Sequence, residues 1–121
     1  KYGEYDLVDT ILNKDYLGFL KISKYLESIN TPLTYIIFLL YSELEKLYLL
    51  QQSKNNKPYI PQFLQSKYTT ASNKYRPDSL LSALKKIVKL DVNSKYNSKN
   101  SNSWISFNDL FSILMNNNTK A

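Results

Sequence analysis

The sequence predicts an all-α protein, a bundle of five to six helices that forms one domain over residues 1–121. Apolar residues recur at helical spacing in each patterned segment of the chain. Gly3 and Gly18 are the only glycines, which is too few for the many turns of an antiparallel β protein. With 121 residues, 43% of them hydrophobic, the chain is large enough to close a single core.

Two helices are predicted before Thr31. The first lies between Tyr5 and Asn13, with apolar positions at Leu7, Val8, Ile11 and Leu12. The second runs from about Asp15 to Ile29, and its apolar stripe comprises Tyr16, Phe19, Ile22, Leu26 and Ile29.

The third helix has the clearest start. Thr31 can cap it, and Pro32 suits the first helical position, where a missing N–H costs nothing. It is predicted to end near Gln52, with a core stripe of Leu33, Ile36, Ile37, Leu40, Leu44, Leu47 and Tyr48. Its far face also carries apolar residues, namely Tyr35, Phe38 and Leu49. A helix that is apolar on two sides is either central to the bundle or has a partner.

Three further helices are predicted after a loop at 53–58, and a second loop at 97–103 precedes the last of them. A short one passes through Ile60, Phe63, Leu64 and Tyr68, and the polar stretch 69–76 follows it. After Pro77 a long helix spans Asp78 to Tyr96, with a buried stripe of Leu80, Leu81, Leu84, Ile87, Val88 and Val92. The last contains Trp104, Phe107, Leu110, Phe111 and Leu114, with Ser106 and Asp109 as its capping box and a frayed tail from Asn116.

The composition argues against catalysis. The chain has no cysteine and no histidine, so disulfides, zinc sites and the usual nucleophile–base pairs are not expected. Two isolated glycines cannot form a phosphate-binding loop. The carboxylate pairs Asp6/Asp9 and Glu43/Glu45 are interpreted as solvated surface acids. We therefore expect a non-enzyme without cofactor, metal or small-molecule substrate.

Charge is distributed unevenly along the chain. Residues 1–53 hold five lysines and seven acids, a net −2, whereas residues 54–99 hold ten basic residues and two acids, a net +8. The candidate basic patch comprises Lys74, Arg76, Lys85, Lys86 and Lys89. Such a patch either meets phosphates or an acidic protein, or is simply a solvated face.

A soluble, cytoplasmic protein is expected. No signal peptide is recognised at the start. The longest apolar run, Tyr35 to Tyr41, is too short to cross a bilayer, so no membrane partner is expected.

One polar pair, Asp91 and Lys95, falls within the apolar stripe of the long helix after Pro77. The two residues are one helical turn apart and can pair with each other. Either the helix end emerges from the core there, or Asp91 is buried and hydrogen-bonded to a neighbouring element.

The order of these elements resembles the C-terminal collar domain of the δ subunit of bacterial DNA polymerase III, the clamp loader of DNA replication. The resemblance covers nearly the whole chain. It rests on the opening Tyr5–Leu12, the Tyr25–Ser28 helix end, the long helix Thr31–Gln52, the segment Leu84–Lys95 and the last helix with Trp104 and Phe107–Leu114.

In the family's penultimate helix a leucine precedes the aspartate and lysine. Here Val88 takes the leucine's place ahead of Asp91 and Lys95. A larger departure is the segment 53–76, which is shorter than the family's helix-turn-helix and broken by proline.

The resemblance implies a non-catalytic oligomerisation domain that packs beside other clamp-loader subunits in a hetero-oligomeric ring. The family's ATPase-fold and lid modules are not among these 121 residues, so we expect a fragment of a longer protein. DNA would then be an indirect partner. The alternative function is a free-standing, basic helical module that binds nucleic acid directly.

The predicted subunit interface combines the surplus apolar residues of two helices. They are Tyr35, Phe38 and Leu49 of the third helix and Trp104, Phe107 and Phe111 of the last. Trp104 is the candidate anchor, and a place in the core is the alternative for it.

Overall fold

Within the residues that the structure describes, the protein is a bundle of six α-helices and one 3₁₀ turn. The computed structural model describes the backbone of residues 1–52, 57–96 and 100–116, and the side chains of the same residues except 91–96 and 100–102. Within those residues no strand is present, so the all-α prediction is confirmed. The elements are α1 (Glu4–Asn13), α2 (Tyr16–Ser28), α3 (Leu33–Gln52), the 3₁₀ turn (Gln62–Leu64), α4 (Gln65–Ser72), α5 (Pro77–Tyr96) and α6 (Asn100–Asn116).

Helices α1 and α2 pack together across a tight connection. Lys14 ends α1 in the left-handed conformation, with φ 55°. The Asp15 carboxylate then caps α2 by accepting a 3.0 Å hydrogen bond from the Gly18 backbone N–H. A Cβ at Gly18 would collide with that carboxylate, which explains a glycine inside a helix. Ile29, predicted in the buried stripe, instead follows the end of α2 and is exposed.

Helix α3 is central to the bundle. It packs most extensively on α5 and also contacts α1, α4 and α6. Its core side is buried as predicted, through Leu33, Ile36, Ile37, Leu40, Leu44 and Leu47. Tyr48, predicted in the same stripe, is half-buried.

The segment before α5 is more helical than the prediction. Ile60 and Tyr68 are buried as expected, whereas Phe63 is 84% exposed. Helix α4 continues to Ser72, within the stretch 69–76 that follows the predicted short helix. The Gln51 side-chain amide holds the end of α4 in place, because it donates to the carbonyls of Ser72 at 2.8 Å and Tyr75 at 2.7 Å.

Helix α5 begins at Pro77, one residue before the predicted start at Asp78, and buries Leu80, Leu84 and Ile87. Two predicted core residues of this helix are exposed instead: Leu81 is 37% and Val88 is 52% exposed. The apolar arc of α5 is wider than the surface that α3 and α6 cover. The side chain of Val92 lies outside the described residues.

Helix α6 begins at Asn100, earlier than predicted. Ser106 and Asp109 therefore lie inside the helix, and the predicted capping box is wrong. The helix ends at Asn116, and the tail beyond it lies outside the described residues. So do residues 97–99 of the predicted loop.

An aromatic cluster joins α2 to α6. The Phe19 ring lies 4.9 Å from the Phe111 ring and 5.7 Å from the Phe107 ring, measured between centroids. Trp104 meets Phe107 edge-on at 5.6 Å. The three phenylalanines are fully buried. Ring pairs at these separations add stability beyond the area they bury, so this cluster fixes α6 on the bundle.

Candidate protein-binding surface

Helix α3 turns aromatic residues to solvent on the side away from the core. Phe38 is 74% exposed and Tyr35 is 45% exposed. The prediction placed both on the far face of this helix, because its core stripe occupies the opposite side. Phe38 has no polar atom that water could satisfy, so its exposure is the feature that marks this face.

These residues border an apolar groove between α3 and α5. Its volume is about 710 Å³. The lining residues are Pro32, Thr34, Tyr35, Ile37, Phe38 and Tyr41 from the start and first half of α3, and Ile87 and Val88 from α5. Val88 lies at the edge of the contact between α5 and α3 and forms part of the groove's α5 wall. Its floor is formed by Ile37 and Ile87, which are buried.

The outer edge of the groove is fixed by a polar contact to α1. The Tyr35 hydroxyl donates a 3.1 Å hydrogen bond to Glu4 Oε2. This bond to a carboxylate raises the pKa of Tyr35 above its ordinary value. The hydrogen bond positions the Tyr35 ring at this edge of the groove.

The other predicted interface residues do not share this surface. Trp104 is 4% exposed, and Phe107 and Phe111 are fully buried in the chain's own core. They form the aromatic cluster with Phe19, so in this structure they offer no surface to a partner. For Trp104 the core position, the alternative left open above, is the one observed. Leu49 is half-buried and does not line the groove.

The predicted basic patch is divided. Lys85, Lys86 and Lys89 are exposed on α5. Arg76 lies before the start of that helix, and its guanidinium donates to both Asp78 carboxylate oxygens, at 3.1 and 3.2 Å. Lys74 is half-buried beyond the end of α4, at the same end of α5 as Arg76. Three lysines of α5 thus form the basic surface, and Arg76 and Lys74 lie apart from it.

Asp91 and Lys95 lie within α5, and their side chains are outside the described residues. The hydrogen bond expected for Asp91 therefore stays a prediction.

A buried carboxylate was missed by the sequence interpretation. Glu43 was expected to be a solvated acid, but it is only 5% exposed. Its Oε1 accepts a 2.6 Å hydrogen bond from the Tyr68 hydroxyl, and its Oε2 accepts one from Lys46 Nζ at 3.1 Å. Burial and the hydrogen bond to Glu43 raise the pKa of Tyr68. The site is a structural link between α3 and α4. Nothing in the sequence around Tyr68 indicates that its hydroxyl pairs with Glu43.

Within the described residues, no group of three or more Asp or Glu side chains is placed to hold a metal ion. Among the same residues, no helix has both the length and the apolar content needed to cross a membrane.

Comparisons with protein-family models, with curated protein sequences and with solved structures find no match to this chain.

Proposed function

We propose that this chain is a non-catalytic assembly domain that binds a partner protein, and that it serves as the collar domain of a δ-type clamp-loader subunit. The observation that carries the proposal is the exposed aromatic edge of the α3/α5 groove. Large exposed apolar residues that adjoin one another are typical of protein-binding surfaces. Phe38, Tyr35 and Val88 line this one groove, with exposed fractions of 74%, 45% and 52%.

The more specific part of the proposal has its own support. The clamp-loader role rests on the order of the helices and on the spacing of Val88, Asp91 and Lys95 in the sequence. A collar domain joins ring neighbours through helical surfaces and performs no chemistry. An accessible face on the central helix α3 suits that role, because the helix is already held by the rest of the bundle.

The test is assembly with ATPase-type clamp-loader subunits, followed by size-exclusion chromatography with light scattering. We expect the wild-type chain to co-elute with them and Phe38→Ala to assemble at least about tenfold more weakly, the loss expected for an aromatic anchor. Phe63→Ala is the matched control, because Phe63 is equally apolar and 84% exposed away from the groove. Absence of co-elution of the wild-type chain would refute the clamp-loader role.

Direct nucleic-acid binding is the second candidate function, and the three exposed lysines of α5 favour it. None of the three forms a salt bridge with another residue that the structure describes. A stand-alone binder would show a steep loss of duplex DNA affinity with rising salt. An assembly domain would bind DNA weakly at any salt concentration, so one titration separates the two functions.

A further inference from the structure

We infer that the α3/α5 groove binds an amphipathic helix that carries an acidic edge, supplied by a partner protein. The inference rests on the proposed assembly function and adds the chemistry of the partner.

The shape of the groove suits a helix. Its two walls are helices that lie side by side, and its apolar lining runs from Pro32 to Tyr41 on one wall and through Ile87 and Val88 on the other. An amphipathic helix inserts side chains spaced three and four residues apart into such a trough. Phe38 and Val88, exposed on opposite walls, would then lie on either side of the inserted row.

The charges beside the groove select the acidic edge. Lys85 lies between Leu81 and Val88, one helical turn from each, so its ammonium group borders the apolar surface of α5. Lys89, one turn further along α5, is also exposed but lines a separate pocket with Asp109 of α6, so Lys85 is the lysine that borders the groove. On the opposite wall α3 exposes Glu45. A bound helix would therefore direct its acidic side chains toward α5.

Two other occupants fit less well. A second copy of this chain would bring another lysine-bearing α5 to the groove, and the chain carries a net charge of +6, so like charges would oppose pairing. Duplex DNA would contact the lysines through phosphates and would leave the apolar groove and Phe38 uncovered.

The test uses a fluorescein-labelled probe peptide with leucines at helical spacing and glutamates along one edge of the leucine stripe. Binding to the full chain is measured by fluorescence anisotropy. We expect saturable binding that falls at least about tenfold for Phe38→Ala and about threefold for Lys85→Glu, the effect expected for one reversed rim pair. A peptide with lysines in place of the glutamates should bind about tenfold more weakly.

Matched controls separate specific effects from general ones. Lys24→Glu changes the net charge equally at an exposed position on α2, and it should bind the glutamate peptide nearly as wild type does. Phe63→Ala should also be neutral. Far-UV circular dichroism verifies that each variant remains helical.

The inference is overturned if the glutamate peptide does not bind, if Phe38→Ala leaves its binding unchanged, or if the lysine peptide binds equally well. Self-association lost in Phe38→Ala, or DNA binding lost only in the lysine variant, would assign the surface to another occupant and likewise overturn it. Peptide binding without assembly onto clamp-loader subunits would support the groove while refuting the clamp-loader role. Assembly that depends on Phe38 but tolerates Lys85→Glu would support the role while refuting the acidic edge.

Discussion

The buried hydrogen bond between Tyr68 and Glu43 can be removed without changing the shape of the core. Tyr68→Phe deletes only the hydroxyl, which donates to Glu43 Oε1 at 2.6 Å. Tyr68 is 7% exposed and Glu43 is 5% exposed, so water has little access to replace the lost donor. The other carboxylate oxygen keeps its 3.1 Å contact with Lys46.

The expected cost is about 2 kcal/mol of the free energy of unfolding. A hydrogen bond to a charged group contributes roughly 1.5–3 kcal/mol. The lower half of that range applies because Lys46 still compensates the carboxylate. For a protein of this size such a loss lowers the urea midpoint by on the order of 1 M.

The assay is urea denaturation at neutral pH, followed by far-UV circular dichroism. Tyr59→Phe provides the control, because Tyr59 is 84% exposed and its substitution should change stability by less than about 0.5 kcal/mol. A double-mutant cycle with Glu43→Gln measures the coupling of the two side chains. Should Tyr68→Phe unfold within about 0.5 kcal/mol of wild type, the hydroxyl–carboxylate link contributes nothing and our reasoning is wrong.

Two other predictions concern stability. Trp104→Ala should destabilise the fold by about 3–5 kcal/mol, the usual cost of truncating a buried aromatic residue. Ile105→Ala, at the exposed neighbouring position, should have little effect. Equal melting temperatures for Trp104→Ala and wild type would contradict the core position of Trp104. The Tyr75 hydroxyl donates to the Ile11 carbonyl at 2.7 Å, and burial raises the pKa of Tyr75. This stability is therefore fully present below the ordinary tyrosine pKa of about 10 and is lost as pH rises beyond it, by up to about 1.4 kcal/mol per pH unit. Urea titrations at pH 8 and in the alkaline range should show a shallower alkaline loss for Tyr75→Phe, and identical slopes would contradict the assignment.

Helices α1, α2, α3, α5 and α6 could be predicted in order because each carries an apolar stripe long enough to show the helical period. Half of α4 lies in the polar stretch 69–76 and carries no such stripe. The exposed face of α3 was predictable for the same reason, since Tyr35 and Phe38 lie opposite the buried stripe. The start of α6 could not be predicted in this way, because the segment 100–103 is polar. Its helical conformation depends on packing further along the helix, where Trp104 enters the core. At such helix ends, tertiary contacts override the intrinsic helix propensity of the residues.

The groove itself could not be predicted from one helix at a time. Val88 was assigned to the core because the wheel of α5 shows one continuous apolar arc. The angle at which α3 crosses α5 determines how much of that arc α3 covers, and the helical periodicity of one sequence does not give that angle. Glu43 was missed for a related reason: its partner Tyr68 comes from a separate helix, 25 residues further along.

The contact between α2 and α6 has a consequence for how the chain folds as it is made. Ser23 Oγ of α2 donates a 2.8 Å hydrogen bond to Asn108 Oδ1 of α6, 85 residues further along the chain. The Phe19 ring of α2 is covered by Phe107 and Phe111, which also belong to α6. A helical bundle usually folds fast because its contacts are local. Here the newly synthesised α1 and α2 leave Phe19 uncovered until α6 has left the ribosome, so the core closes late. Aggregation competes with folding in the interval before α6 packs on α2.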